Sequence, residues 1–437
     1  MASIPEDDPR YAGPPTQCEG AREPFRFSML LGDARYRAIT LQVFALLAFA
    51  ALVVFLGFNV SEKFEESGKT FSFSFLWQPA SYDIDQTLID YTSRSPHWKA
   101  AVVGILNTFL VAIMGIVTAT VLGVLAGVAR LSKNWLVARL MTVYVEIFRN
   151  VPLLIWLLVL IAVFTTVFPV PRNAWTLGGL FDGLLGLLSF GLYDAGENGE
   201  NSIFGAIVAL TNRGMRVTAP VFEEGSGWVV AAFLASLAGM WALRRYAKAQ
   251  QEATGRIIPW LRIGVLGVIV VTVAAYYLAG QPISRDPVVL GRFNMTGGWR
   301  ISGGLFALWL GLSLYTGAFI AEIVRAGILA VSTGQREAAA ALGLQPNRVM
   351  NLVILPQALR VIIPPLISQY LNLIKNSSLA IATGYMDITG TLGGITLNQT
   401  GREMEALLMV MGFYLIVSLT LSAVMNAYNN RVVLKER

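Results

Sequence analysis

The sequence is poor in the residues that build catalytic and metal sites. Its 437 residues include one cysteine, Cys18, and one histidine, His97. A single cysteine excludes a disulfide within the chain, and so few thiols and imidazoles exclude a zinc cluster or a serine–histidine triad. We therefore predict no catalytic residue and no metal site in this chain. His97 is expected at the surface, before a span.

Charge is also scarce. Asp, Glu, Lys and Arg make up 14% of the chain, against roughly 25% in soluble domains. Hydrophobic residues make up 55%, and the mean hydropathy is +0.59. This balance predicts an all-α polytopic membrane protein. In such a chain the net charge of +6 indicates orientation in the membrane, so we predict no nucleic acid partner.

A complete nucleotide-binding loop is missing. The stretch "ESGKT" (Glu66 to Thr70) partly matches the phosphate-binding motif, but that motif needs a glycine where Lys63 stands. We therefore predict no bound cofactor. If the protein works against a gradient with ATP, another chain must bind and hydrolyse ATP-Mg.

About eight stretches are long and apolar enough to cross a bilayer as helices, which takes about 20 residues each. They cover approximately 38–58, 101–129, 140–168, 226–242, 257–279, 303–331, 361–385 and 404–427. Pro152 and the pair Pro364–Pro365 predict kinks within spans. Gly123 and Gly127 predict a close helix contact. A glycine-rich run at 176–192 is interpreted as an interfacial piece.

Lysine and arginine are unevenly distributed between the connecting segments. With the N-terminus inside and alternating spans, the inside segments hold 19 of them in 106 residues, and the outside segments hold 11 in 145. The positive-inside rule therefore places both termini and the 332–360 loop in the cytoplasm. Residues 1–37, polar and rich in proline, are predicted to be a disordered cytoplasmic tail.

The cytoplasmic segment "GQREAAAALGLQPNRVMNLVILPQALR" (Gly334 to Arg360) has an unusual composition. Four alanines after Glu337 favour a helix, and Gly343 is a good terminator. Such a short helix is marginal alone, so packing must stabilise it. Leu342 and Leu344 offer apolar anchors. The pattern predicts a short, rigid helix across the membrane face that docks into a groove of another protein.

At these residues the chain resembles the permeases of ATP-binding-cassette importers. Their pattern is Glu-Ala-Ala, three residues, Gly, nine residues, Ile, one residue, Leu-Pro, and the positions that match it here are Glu337, Ala338, Ala339, Gly343, Val353 in the Ile place, Leu355 and Pro356. "FRNVPLL" (Phe148 to Leu154) and "YTGAFIAEIVRAGILAVSTGQREAAAALGL" (Tyr315 to Leu344) resemble the polar amino acid branch. "QYLNLIKNSSLAIATGY" (Gln369 to Tyr385) is most similar to permeases for general L-amino acid uptake.

The resemblance implies the transmembrane domain of a type I importer in the bacterial inner membrane, with no enzymatic step of its own. Glu337, Ala338, Ala339, Leu342 and Gly343 would form the coupling helix that docks on separate ATPase subunits. The other partners implied are a second permease, related rather than identical, an external amino-acid-binding protein, the amino acid substrate and the lipid bilayer.

The resemblance also implies a division of the chain. After the tail at 1–37, residues 38–100 hold an anchor helix and an external loop. The permease core is formed by 101–168 and 301–430, with the coupling loop at 332–360. Between the two parts, 169–300 form an insertion with an external loop and two extra helices, and 431–437 form a cytoplasmic tail.

Charges inside the predicted spans are the candidate substrate contacts. "EIFR" and "EIVR" place Glu146 with Arg149 and Glu322 with Arg325, each pair able to meet on one helix face. They are either structural pairs or a gate or ligand contact. Lys375, followed by Asn376 and Ser377, could meet a substrate carboxylate, pair with another span or lie at the interface. The predicted pathway residues are Lys375, Asn376, Ser377, Arg149 and Glu322.

Two other classes of protein compete with the importer. A secondary transporter or channel acting without an ATPase would show inverted repeats, and none is clear here. A membrane scaffold would have no use for Lys375 or the paired charges. Copurification with an ATPase discriminates the importer from the secondary transporter.

Overall fold

The computed structural model describes residues 34–66, 68, 70–176, 208–291 and 294–432. The two predicted tails and the run at 176–192 fall almost wholly outside these residues. The chain divides into two compact units, 1–72 and 73–437. In the first unit the described residues include one long helix, α1 (Ala34–Glu66).

Helices dominate the second unit. They are α2 (His97–Ala129), α3 (Trp135–Asn150), α4 (Leu153–Val167), α5 (Ser226–Thr254), α6 (Trp260–Leu278), α7 (Gly303–Leu329), α8 (Thr333–Ala341), α9 (Pro346–Val349), α10 (Leu355–Asn376), α11 (Ile388–Gly390), α12 (Leu397–Thr400) and α13 (Glu403–Val432). A π-helical turn, Met350–Ile354, joins α9 to α10. Among the described residues of the whole chain, seven helices are long and apolar enough to span a membrane, and α3 with α4 makes an eighth if the bent pair is one span. The predicted polytopic helical fold with about eight spans is confirmed.

The predicted span at 140–168 is broken at Pro152. Proline disfavours helical backbone in the residue before it, and Val151 is extended, with φ −109° and ψ 133°. Pro152 then caps the start of α4, and the two helices meet at 107°. The kink predicted here is confirmed and is a complete break. Pro364 and Pro365, in contrast, lie inside α10, which continues through them as one helix.

The packed centre of the second unit is the contact between α2 and α7. A methyl group at Gly123 would come within 2.5 Å of the Ile320 side chain, and one at Gly127 within 2.6 Å of the Ala321 carbonyl. Both distances are below any real Cβ contact, so only glycine allows the two helices to approach this closely. The predicted close-contact face of α2 is therefore confirmed.

Short strands join the inserted helices to the core. They are β1 (Trp175–Thr176), β2 (Val208–Thr211), β3 (Gly214–Val217), β4 (Ala219–Phe222), β5 (Ile283–Asp286), β6 (Val289–Leu290), β7 (Met295–Thr296) and β8 (Trp299–Ser302). One antiparallel sheet has the order β1-β2-β3-β8, and β4 pairs with β5 and β6 with β7. Strands of two to four residues leave no alternation pattern to read from the sequence. Together with α5 and α6 they lie between residues 175 and 302. The division of the chain into a core and an insertion stays a prediction.

The sheet fixes the start of α7. Gly214 of β3 pairs with Ser302 at the end of β8, and the Ser302 hydroxyl caps α7 by accepting the Leu305 N–H at 3.2 Å. We call this side of the bundle the sheet end. The opposite side, where α7 runs into α8, is the α8 end.

His97 is not at the surface, so that expectation is wrong. His97 is the first residue of α2 and is 3% exposed. Its Nδ1 lies 3.0 Å from the Thr396 hydroxyl, and its ring contacts Phe75 edge-on. Burial results from the packing of residues about 300 positions later, a contact invisible in the local sequence.

Candidate functional site

The helix predicted in the Gly334–Arg360 segment is present as α8, nine residues long. It ends because Gly343 adopts left-handed backbone with φ +72°. The Gly343 and Leu344 amides then donate to the carbonyls of Ala340 and Ala339, at 2.9 and 3.3 Å. The terminator role predicted for Gly343 is confirmed. Pro346 next begins α9, where its missing N–H is not needed.

α8 presents two contrasting faces. Ala339 is 5% exposed and packs in the main core cluster, with Leu344 partly buried against that cluster. Glu337, Ala338 and Leu342 face away from the chain, and Leu342 is 81% exposed. A large apolar side chain this exposed, on a helix already anchored by its other face, is suited to contact another protein.

Glu322, on α7, is the centre of a cluster of charges near the α8 end. Arg325 contacts its Oε1 through Nη2 at 2.6 Å and Nε at 3.2 Å. Arg130, at the end of α2, bonds the other oxygen, Oε2. Arg149, from α3, places Nη1 3.6 Å from Oε2. Three guanidinium groups therefore converge on one carboxylate, and they tie three helices together.

The partner of Arg149 differs from the one that its spacing suggested. Its guanidinium lies 5.4 Å from the centre of the Phe319 ring on α7, besides its contact with Glu322. The Glu146 carboxylate instead accepts the Asn150 side-chain amide at 3.3 Å. The Glu322–Arg325 pair is as predicted. The structure thus brings Arg149 and Glu322 together, although they are 173 positions apart.

Lys375 belongs to an exposed stripe on α10. Pro365, Asn372 and Lys375 are exposed and Ser368 is half-buried, at spacings of three, four and seven that place them on one helix face. Asn376 is half-buried beside it. Polar side chains on a membrane-crossing helix normally face a protein partner or a water-filled path, and Pro365, Asn372 and Lys375 of this stripe are left exposed by the rest of the described chain.

Ser377 lies apart from that stripe. It is fully buried, and its hydroxyl donates to the Ile374 carbonyl at 2.7 Å. The structure therefore separates Lys375, at the sheet end of α10, from Glu322 and Arg149, near the α8 end. The role of each in a pathway stays a prediction.

A buried polar network at the sheet end was not predicted. Asn107, fully buried in α2, donates both amide hydrogens, to the carbonyls of Gln86 and Met386 at 2.8 Å each. Tyr385 donates its hydroxyl to the Asn107 carbonyl at 3.1 Å. These bonds attach the segment after α10 to α2 and to the loop before it. The available signal was Asn107 itself, an amide within an apolar run.

Asp387 continues this network between two spans. Its fully buried carboxylate accepts the Gly390 N–H at 2.8 Å, capping α11, and the Tyr414 hydroxyl at 3.2 Å. Burial raises the pKa of Asp387 to about 6 because the ionised form loses its hydration, and the hydrogen bonds from Gly390 and Tyr414 offset this only in part. The Asp387 carboxyl therefore holds its proton to a higher pH than an exposed aspartate does, and the fold shields it from solvent.

As the pH rises from about 4 to about 6, we expect the stability of the folded chain to fall on account of Asp387. Within this window the folded carboxyl keeps a proton that the unfolded one, with its ordinary pKa of 3.8, has released. The free energy of unfolding then decreases by roughly 3 kcal/mol as pH rises, and levels off above the folded pKa. Thermal unfolding of detergent-purified protein and of Asp387→Asn would be compared across this range. The difference between the two melting curves should change with pH, and a constant difference would contradict the assignment.

Among the described residues, no group of three His, Cys, Asp or Glu side chains could hold a metal ion. The arrangement offers instead an exposed short helix, a charge cluster that joins three helices and a polar stripe on a span.

Comparison with known proteins places these features in a family. Residues 229–435 match the model of the binding-protein-dependent transport system inner membrane component. A permease protein of the glutamate/glutamine/aspartate/asparagine transport system of Rhodobacter capsulatus is 49% identical, over 94% of this chain and 97% of its own length.

Two further relatives align over almost their whole length. The general L-amino acid transport system permease protein of Rhizobium johnstonii is 39% identical, covering 97% of this chain and 98% of that protein. A putative amino-acid ABC transporter permease of Escherichia coli is also 39% identical, covering 95% of this chain and 99% of its own. Similarity at this level extends through the insertion as well as the core.

Proposed function

The chain belongs to the permease subunits of ATP-binding-cassette importers for amino acids, and from this premise we propose that it carries a broad range of polar L-amino acids into the bacterial cytoplasm. It is an integral protein of the inner membrane with no catalytic step of its own. In this proposal ATP-Mg is bound and hydrolysed by a separate ATPase. Both of its termini and α8 face the cytoplasm, as the distribution of Lys and Arg indicates.

The exposed face of α8 is the observation that carries the coupling role. Ala339 and Leu344 hold the helix to the permease core, while Glu337, Ala338 and Leu342 are free to enter a groove on the ATPase. After Gly343 the chain continues through α9 and the π-helical turn into α10, and before Ser332 it follows α7. A displacement of α8 by the closing ATPase would therefore act on two spans at once.

A second permease would cover the polar stripe of α10. Ser368, Asn372 and Lys375 lie on one face of a span, and leaving a lysine towards lipid is costly. Contact with a second permease would place this face inside a pathway. We propose that this partner is a related permease rather than an identical one, as the resemblance of Gln369 to Tyr385 to general L-amino acid permeases implies.

The pathway would run between the two permeases. Lys375, with Asn376 beside it and Ser377 buried behind the stripe, would meet the substrate carboxylate near the outer side, where an external amino-acid-binding protein releases it. Arg149 and Glu322 would lie at the cytoplasmic side of the same route. Alternating access follows if ATP-driven movement of α8 opens one side as it closes the other.

Copurification tests the proposal directly. We expect the tagged chain, extracted in a mild detergent from its native membrane, to retain an ATPase and a second permease in fixed ratio, as measured by mass spectrometry of the complex. A competition assay with the twenty amino acids on the reconstituted complex would define the substrates. Amino acid accumulation by the purified chain alone, without ATPase, would instead establish a secondary transporter.

A further inference from the structure

The hairpin formed by α5 and α6 has a strongly basic tip. Between residues 243 and 262 there are five cations and one carboxylate. The cations are Arg244, Arg245, Lys248, Arg256 and Arg262, and the carboxylate is Glu252. The Glu252 Oε1 lies 3.7 Å from the Lys248 Nζ, so these two opposite charges pair with each other. The other four cations form what we call the arginine tip.

Two guanidinium groups of the arginine tip are held against indole rings. Gly264 of α6 brings the helices together, because a methyl group there would fall 2.4 Å from the Met240 side chain. One turn further towards the tip, the Arg244 guanidinium lies 5.4 Å from the ring centre of Trp260. The Arg245 guanidinium lies 3.9 Å from that of Trp241. Stacking fixes the position of both charges without neutralising them.

Nothing in the described chain balances these charges. No carboxylate of the described residues forms an ion pair with Arg244, Arg245, Arg256 or Arg262. All four side chains belong to exposed residues. Beside them α6 begins at Trp260 without a side-chain cap. The Trp260 amide donates to the Ile258 carbonyl, and the positive end of the helix dipole adds to the potential at the tip.

The level of the arginine tip relative to the membrane indicates which kind of anion would bind there. Trp241 and Trp260 stand where the apolar part of the hairpin ends, which is the headgroup level preferred by tryptophan. Arg244 and Arg245 therefore lie at the height of lipid phosphates. Residues 245–254 continue α5 for about 15 Å beyond this level.

We propose that the arginine tip is a binding site for an anionic phospholipid, with Arg244, Arg245 and Arg262 contacting the headgroup phosphodiester. Guanidinium groups match the geometry of phosphate oxygens, and clusters of arginine beside a membrane span bind anionic lipids. The acyl chains would lie along the hairpin, whose exposed side chains below the tip are apolar, among them Leu261, Val265 and Leu266. The site does not depend on which solute the permease carries.

The test uses the full-length protein with its partner subunits, exchanged into phosphatidylcholine containing 30 mol% phosphatidylglycerol. Native mass spectrometry would count the phosphatidylglycerol retained as detergent is added. We expect Arg244→Gln with Arg245→Gln and Arg262→Gln to lower the affinity for phosphatidylglycerol by at least about tenfold. Lys133→Gln with Arg139→Gln, which removes two exposed charges from the loop before α3 and from α3 itself, should leave the affinity unchanged.

Replacing Arg244, Arg245 and Arg262 by lysine provides a control for misfolding, since this variant keeps the positive charge that orients the hairpin in the membrane. It should retain phosphatidylglycerol more weakly than the native chain and more strongly than the glutamine variant. Equal retention by native and glutamine variants would overturn the proposal. A glutamine variant that loses the ATPase but keeps the lipid would also overturn it. So would equal protection of the native protein against thermal unfolding by inorganic phosphate and by phosphatidylglycerol.

Discussion

Replacing Leu342 by aspartate should reduce ATP-driven amino acid uptake by at least about thirtyfold while the chain stays folded. A central apolar contact of a protein interface is typically worth 2 kcal/mol or more, which corresponds to that factor. Leu342 is 81% exposed within the chain, so the folded permease loses no packing when it is changed. Uptake in membrane vesicles and ATPase retained on the purified permease would both be measured, together with the unfolding temperature.

The controls separate coupling from folding. Lys133→Ala changes an exposed residue of the loop before α3, also near the α8 end, and should leave uptake and ATPase retention as they were.

Gly343→Val tests α8 in a different way, through its termination. No atom lies within 4 Å of a Cβ placed there, but a branched residue is strained at φ +72°, so α8 would end incorrectly and uptake should fall too. Normal uptake by both Leu342→Asp and Gly343→Val would remove α8 from the coupling role.

Substituting glutamine for Glu322 should destabilise the permease strongly. The change leaves Arg130, Arg149 and Arg325 converging on a neutral amide, and Arg130 is the most affected because its side chain is only 9% exposed. Breaking a buried ion pair on one side costs on the order of 3 kcal/mol. Since α2, α3 and α7 are joined by this carboxylate, we expect a lower unfolding temperature and a loss of uptake together.

Other variants of the cluster test its geometry. Arg149→Gln should have a smaller effect on stability, because Arg149 is more exposed and its 3.6 Å contact is the longest of the three. Glu322→Asp retains the charge and should recover part of the lost stability. A Glu322→Gln protein with unchanged unfolding temperature and unchanged uptake would show that the cluster is dispensable. Unchanged stability with lost uptake would favour the pathway role over the structural one.

The elements governed by local chemistry could be predicted from the sequence. Glycine at 343 ends α8 because its left-handed backbone is accessible without strain, and proline at 152 breaks the span because the residue before it turns extended. Gly123 and Gly127 predicted the face of α2 that packs closely against another helix. Long apolar runs fixed the number of spans, because crossing a bilayer requires a minimum length whatever the neighbours are.

Partners between distant parts of the chain could not be predicted in the same way. Arg149 has Glu146 at helical spacing, but Glu322 of another helix provides its carboxylate. His97 was expected at the surface and is buried, and no pattern in the sequence marked Asp387 as a buried carboxylate. The short strands of the insertion are too brief to leave a period-two pattern.

The sequence by itself therefore determined the membrane class, the approximate spans and the α8 segment, because hydrophobicity, helix propensity and chain stiffness act over a few neighbouring residues. The family followed from the resemblance of its motifs. Only the tertiary structure decided which charges meet, which face of α10 stays open and which polar groups are buried. Those outcomes depend on how helices separated by tens to hundreds of residues pack, and the free energy of each contact is set by its surroundings rather than by the residue alone.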